Sequence, residues 1–240
     1  ILFPMADGGE GTSEILRYHS KGQRMELTVS DPLGRPIIAS YSLSANGQTA
    51  FMEMAQAAGL QLLQQTERNP LLTSTYGVGE MIVHAMEQGV QKIVLGIGGS
   101  ATNDAGMGMA AALGYRFLDK DGAVLVSSGQ VLNKVFTIDK TGVDKRLSSI
   151  AVELICDVDN PLFGPQGAAV IYAAQKGAND AMIQQLDSGL RHFAEVIQQD
   201  VHVTVADQPG AGAAGGLGAG GVAFLGAQLR RGIELIMELT

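Results

Sequence analysis

The segment Gly98-Gly99-Ser100-Ala101-Thr102-Asn103-Asp104 follows an apolar, β-branched run and leads into small helix-forming residues, so it reads as strand, glycine loop, helix. Such a junction exposes free backbone N–H groups at a helix N-terminus, and Ser100 and Thr102 add hydroxyl donors; the chemistry is anion binding. The plainer reading is a tight turn, with Asp104 as N-cap and the glycines present for packing. Asp157 and Asp159 close another apolar run, at a strand end where open α/β sheets bind ligands. They suit a Mg²⁺ ligand or a general base, or else simple turns ahead of Pro161. Asp7 and Glu10 flank Gly8 and Gly9, two carboxylates on a turn that could face Mg²⁺ or substrate, or cap a helix. Lys176, between Gln175 and Gly177, would reach a phosphate or stand as a solvated surface charge. Gly212, Gly215 and Gly216 lie in the run 209–218, which reads as a phosphate-side or hinge loop opening into a helix, against the alternative of a flexible linker.

A second chemistry competes at the first of these loops. Gly96-x-Gly98-x-x-Ala101 satisfies a dinucleotide-binding fingerprint, with Asp119 about 20 residues on at a strand end. Against it, Asp119 begins an Asp-Lys-Asp-Gly turn, and Asp104 would bring an extra carboxylate near a pyrophosphate. No G-x-x-x-x-G-K-[ST] loop, G-x-S-x-G elbow or H-E-x-x-H motif occurs. The four histidines are scattered without metal-ligand spacing, and the single Cys156 excludes both an intrachain disulfide and a cysteine-based zinc site.

The elements that must position these residues follow from periodicity. Strands are predicted over 25–29, 37–43, 49–54, 92–97, 115–118, 150–156 and 168–172. Asp31-Pro32-Leu33-Gly34 and Asn46-Gly47 join the first three as hairpins. Helices are predicted over 13–19, over 75–88 with Thr75 as N-cap, over 105–113, over 179–199 with Asn179 as cap, and near 222–228. No repeat and no long linker divides residues 1–240. They read as one α/β domain, a single mixed sheet with helices.

Composition narrows the partners. A net charge of −8 leaves no basic stripe for nucleic acid or an anionic membrane, and no apolar run approaches the length of a membrane span. The 32 glycines cluster, as they do where backbone turns sharply or approaches a ligand. Cytoplasm is the default location, since no signal peptide opens the chain. The sequence lacks an initiator Met, starts directly before the Asp7 loop and stops within an apolar stretch over 233–239, as expected of a piece of a longer enzyme.

Taken in order, the segments resemble the glycerate kinase family of the bacterial glycerate 2-kinase type. They are Met5-Ala6-Asp7-Gly8-Gly9-Glu10-Gly11-Thr12, Arg68-Asn69-Pro70-Leu71-Leu72-Thr73-Ser74-Thr75-Tyr76-Gly77, Leu95-Gly96-Ile97-Gly98-Gly99-Ser100-Ala101-Thr102-Asn103-Asp104, Cys156-Asp157-Val158-Asp159-Asn160-Pro161-Leu162, Gln175-Lys176-Gly177-Ala178 and the closing run 209–218. The resemblance spans essentially the whole chain. It implies transfer of phosphate from ATP to D-glycerate, giving 2-phosphoglycerate, with Mg²⁺. It also implies a second, flavodoxin-like α/β domain into which this one is inserted, its halves carrying an Asp-Ser-Phe-Lys and a Thr-Gly-Glu-Gly segment. This chain would then form one wall of the cleft and be inactive alone. On that reading Asp7, Glu10, Gly8, Gly9 and the Gly98–Asn103 amides would face the cleft, Asp157 or Asp159 would hold Mg²⁺ or orient the acceptor hydroxyl, and Lys176 would neutralise phosphate. Ala174 departs from the family, which often has proline there. An NAD-dependent dehydrogenase and a non-catalytic domain that senses a small acid are the competing readings.

Overall fold

The computed structural model describes residues 21–232, so the Asp7–Glu10 loop, the helix expected over 13–19 and the stretch 233–239 lie outside the described residues. The fold opens with three antiparallel strands, β1 (Gln23–Ser30), β2 (Pro36–Leu43) and β3 (Thr49–Glu53). Local chemistry closes both hairpins. Asp31 Oδ1 accepts from the amides of Leu33 (2.8 Å) and Arg35 (2.9 Å), while Gly34 takes a φ of +82°. Asn46 Oδ1 accepts from the Gln48 amide at 3.0 Å beside Gly47, whose φ is +69°.

A short helix α1 (Ala55–Ala58) and helix α2 (Tyr76–Glu87) then lead to β4 (Lys92–Gly96), and α3 (Met107–Ala112) follows. Next come β5 (Arg116–Leu118), β6 (Thr137–Asp139) and β7 (Ala151–Ile155). The rest is α4 (Ala168–Tyr172), α5 (Asp180–Asp200), α6 (Ala213–Leu225) and β8 (Gln228–Arg230). The main sheet has the order β1-β2-β3-β4-β7-β8, and β5 with β6 forms a separate antiparallel pair. Strands β3, β4, β7 and β8 are parallel, and their registers align Glu53, Gly96, Ile155 and Arg230 across one edge. The loops after β4 and β7 therefore emerge side by side, where parallel sheets hold their ligands.

Two hydrophobic cores meet at α3 and α6. One lies on the sheet and contains Tyr41, Met52, Met81, Ile93, Leu95, Met109 and Leu217. The other gathers the rings of Phe117, Phe193 and Phe224, at centroid distances of 5.6–6.1 Å, with Met107, Leu186 and Leu190. Helix α5 is capped as its sequence predicts, with Asn179 Oδ1 accepting from the Met182 amide at 3.0 Å.

Several elements differ from expectation, among them β6 and β8, which were not foreseen. Residues 168–172, predicted as a strand, form helix α4: Ala168, Ala169 and Ala173 are buried while Val170 and Ile171 are exposed, a helical spacing that strand alternation cannot give. The β-branched pair faces away from the core. The run 209–218, expected as a loop opening into a helix, is broken by left-handed Ala214, Gly215 and Gly216 before regular helix over 217–225; the helix expected near 222–228 stops there, and Gln228 begins β8. Glycine is required along α6 because backbone lies against it. A Cβ at Gly220 would overlap the Ala105 carbonyl, and one at Gly218 the carbonyl of Gly210.

Gly220→Ala separates packing from propensity. Helix propensity alone favours alanine by about 1 kcal/mol, whereas the overlap with Ala105 should reverse the sign and cost about 1–3 kcal/mol. The urea midpoint should fall; a rise would show that α6 can move away from the loop.

Candidate active site at the strand ends

Past β4, the loop 97–105 is tied down on every side. The Ile97 amide donates to Ile155 O, Leu60 N to Gly99 O (2.9 Å), Ala101 N to Ala58 O (2.8 Å), and Thr73 Oγ1 to Ala101 O (3.0 Å). Gly99 takes a φ of +73°, which turns the chain back over the strand end. Asp104 closes the loop. Its Oδ2 accepts from the Thr75 amide (2.8 Å), the Thr75 hydroxyl (2.8 Å) and the Gly108 amide (3.1 Å), and its Oδ1 accepts from the Gly106 amide (3.2 Å). Thr75 Oγ1 accepts in turn from the Met109 amide at 2.9 Å.

These bonds change the reading of the loop. Thr75 stands at the N-cap position of α2 without capping it through its side chain, its hydroxyl being spent on Asp104 and Met109. The first amides of α3 serve Asp104 and Thr75, so the helix N-terminus expected to bind an anion is already satisfied internally. Asp104 is fully buried, and burial pushes its carboxyl above the usual range against the opposing pull of its donors. It holds the loop together and does not line the cleft.

Lys176 supplies the charge at the cleft. It ends the turn Ala174–Lys176 after α4, and Gly177, with a φ of +95°, stops the turn against the Arg68 carbonyl, which a Cβ would overlap. Ala174 opens that turn, a position that accepts proline. Far from being a solvated surface charge, Lys176 is 2% exposed, and its Nζ donates to Ser100 Oγ (2.6 Å) and Thr102 O (2.7 Å). Burial lowers its pKa to about 7, with Asp104 acting in the opposite direction. Gly98, Gly99, Ser100, Asp157 and Lys176 line one cleft of about 430 Å³, joined by Tyr172 from α4. Sequence reasoning did not anticipate Tyr172, because it read α4 as a strand.

The two carboxylates after β7 are not brought together. Asp157 lines the Lys176 cleft, with Oδ1 accepting from the Gly232 amide at 3.1 Å. Asp159 pairs with Arg231 at 3.3 Å and borders a neighbouring groove beside Pro209 and Gly210. Two residues apart, they would share a face on a regular strand, but the chain has left β7 after Ile155 and each carboxylate has its own partner and its own groove. Among the described residues no cluster of three metal-ligating side chains exists. Cys156 lies in the cleft wall, its thiol donating to Val158 O at 3.1 Å and pushed above its ordinary pKa by burial.

Gly212, Gly215 and Gly216, expected to touch phosphate, serve close backbone approach. A Cβ at 212 would overlap Pro161 O, one at 215 would overlap Thr102 O, and one at 216 would lie 2.8 Å from Leu162 Cδ1. The cleft is reached from this segment by Ala213 and Ala214. Next to Gly215, Asn103 and Thr102 are fully buried, and neither the Asn103 amide nor Thr102 Oγ1 has a protein partner. The dinucleotide reading loses its acid. Asp119 Oδ1 accepts from the amides of Asp121 and Ala123, both at 2.9 Å, and β5 lies outside the main sheet.

Comparison with known proteins bears on what this cleft does. The family model described as "Glycerate kinase family" matches residues 1–240. A glycerate kinase of Halalkalibacterium halodurans is 49% identical over 239 residues, which is 100% of this chain and 63% of the relative. The glycerate 2-kinase of Escherichia coli K12 is 49% identical over 236 residues, covering 98% and 62% of the two chains. A crystal structure from Salmonella typhimurium LT2, whose name assigns it provisionally to glycerate kinase 2, superposes with a TM-score of 0.96 at 47% identity, covering 99% of this chain and 63% of that one. The chain thus spans about 63% of the length of these relatives.

The buried lysine makes stability depend on pH. Its pKa lies near 7 in the folded state against 10.5 for an ordinary lysine, so between these values the unfolded chain binds more protons and the lysine's contribution rises with pH. Below about 7 both states carry the proton and the contribution is flat. Urea midpoints of wild type minus Lys176→Met should therefore climb from pH 7 to 9.5. A difference that stays constant would place the proton loss outside this window.

Proposed function

The chain belongs to the glycerate kinase family, and from that premise we propose that the complete protein transfers the γ-phosphoryl group of ATP to the 2-hydroxyl of D-glycerate, giving 2-phosphoglycerate. The observation that carries the reading is the buried Lys176 amine, held by Ser100 and Thr102 against a glycine loop at the ends of parallel strands. Phosphoryl transfer asks a protein chiefly to position groups and to offset charge. Lys176 and the Ser100 hydroxyl supply donors to an anion in the cleft, and charge whenever the lysine carries its proton, with the backbone of Gly98 and Gly99 beside them.

Asp157 suits Mg²⁺, since it stands exposed in the same cleft and only its Oδ1 has a partner, the Gly232 amide. Magnesium is commonly held by one or two carboxylates together with phosphate oxygens, and needs no all-protein cage. When bound it would offset the negative charge of the phosphate groups. Asp159, paired with Arg231, fits this duty less well. Asp7 and Glu10, with Gly8 and Gly9, enter the proposal from sequence alone, as groups presented to substrate across the cleft.

The domain reading completes the proposal. Residues 1–240 would be one domain that packs against a second, flavodoxin-like one in the remaining third of the polypeptide, the cleft lying between them. The 240 residues alone would then bind ligand weakly and not turn over. A cytoplasmic location suits an ATP-dependent reaction on a small organic acid, and no helix among the described residues is long and apolar enough to cross a membrane.

³¹P NMR of the complete gene product with Mg·ATP and D-glycerate should show the resonance of 2-phosphoglycerate. A 3-phosphoglycerate signal would move the acceptor to the other hydroxyl, and no new phosphorus species would refute the kinase reading. Asp157→Asn should lower kcat by about 10²-fold or more, measured with saturating substrates; unchanged turnover would remove Asp157 from the site.

A further inference from the structure

Lys176 is held unlike a lysine that serves only as a point charge. Its Nζ has two protein partners, the Ser100 hydroxyl at 2.6 Å and the Thr102 carbonyl at 2.7 Å. Among the described residues no carboxylate bonds to it. The nearby acid, Asp104, directs its oxygens to Thr75, Gly106 and Gly108. The Thr102 carbonyl can only accept, so one N–H of the amine is always committed there. That fixes the remaining positions of Nζ toward Ser100, whose hydroxyl can donate to the amine as readily as accept from an ammonium. Ser100 is itself held by the bridge to Gly59 and lines the cleft. The result is a two-member chain of exchangeable protons, buried at Lys176 and open to the cleft at Ser100.

We propose that Ser100 and Lys176 form the proton relay of the phosphoryl transfer, Ser100 Oγ taking the proton of the acceptor hydroxyl as its own passes to Lys176 Nζ. This rests on the kinase reading given above. In the step the acceptor O–H bond breaks and its oxygen bonds to the γ-phosphorus, while the bond from that phosphorus to the bridging oxygen breaks and its electron pair leaves with ADP. The proton ends on Lys176, so the ammonium forms beside the newly made phosphate ester and no other reactant is consumed. Ser100 is the catalytic residue, and Lys176 acts through it. The free amine is accessible near neutral pH, since burial brings Lys176 to about 7. The other titratable groups facing it are Asp104 from the loop before α3, Asp157 and Cys156 after β7, and Tyr172 from α4. The thiol and the phenol are both pushed above their ordinary values by burial and stay protonated there.

The test is the pH dependence of kcat in the complete gene product between pH 5.5 and 9. Wild type should rise about tenfold per pH unit below the lysine's pKa and level off above it. Lys176→Arg keeps the positive charge but cannot release a proton. It should lose about 10²-fold or more in kcat along with the acid limb, while KM for ATP and glycerate stays close to wild type. Ser100→Ala should lose kcat as well, and Ser100→Thr should recover most of it. Retention of the acid limb by Lys176→Arg, or a raised KM at unchanged kcat, would overturn the relay and leave Lys176 as a binding charge. Proton inventory on wild type guards against misfolded variants: two protons in flight give a curved dependence on deuterium fraction, and a linear one would overturn the relay. Absence of phosphoglycerate from wild type at every pH would instead overturn the kinase reading, and the relay with it.

Discussion

A carboxylate sealed from water organises this half of the molecule. Leaving Asp104 ionised in the interior is costly unless donors replace its hydration, and four converge on it from Thr75, Gly106 and Gly108. Those donors belong to the start of α2 and the start of α3, so a single side chain fixes both helices relative to the loop between them. The same arrangement consumes the helix amides that would otherwise attract an anion. Positive charge at the cleft must then come from elsewhere, and Lys176 brings it from a turn in a distant part of the sequence. Asp104 and Lys176 are thus complementary: the acid favours the lysine's proton without bonding to it, and burial opposes both charges.

The second constraint is closeness of backbone. Helix α6 presses on the loop 102–106 so tightly that Gly215 and Gly220 meet the carbonyls of Thr102 and Ala105, and Gly106 faces Leu217. Carbonyl oxygens tolerate no methyl group at that separation, so the contact selects glycine on both sides. Because α3 and α6 each contribute to both cores, this seam ties the sheet to the α5 layer.

Much of the frame was legible from residue patterns. Alternating and apolar runs located most of the main-sheet strands, Asn179 marked the start of α5, and the strand ends carried the loops at 98 and 157 to one edge. What escaped was tertiary. The short apolar run 168–172 suggested a strand, yet its buried alanines and exposed Val170 and Ile171 follow helical spacing. The run 209–218 suggested a loop opening into a helix, which left-handed Ala214, Gly215 and Gly216 bear out, but only the neighbouring carbonyls show why its glycines are there. Lys176 gives no local hint of burial, since its partners are Ser100 and Thr102, far away in sequence. Asp157 and Asp159 share a sequence neighbourhood, but past the end of β7 they take different partners, the Gly232 amide and Arg231.

The seam between α6 and the site loop also governs how the fold can be reached during synthesis. The loop leaves the ribosome about a hundred residues ahead of the helix that braces it, and β7 waits about 75 residues for its parallel partner β8. Until then the carbonyls of Thr102 and Ala105 lack the glycine backbone that packs against them. The early hairpins can form at once from local contacts, but the cleft cannot be assembled piecemeal. The cleft is therefore complete only once Ala213 and Ala214, at the start of α6, have docked beside the loop.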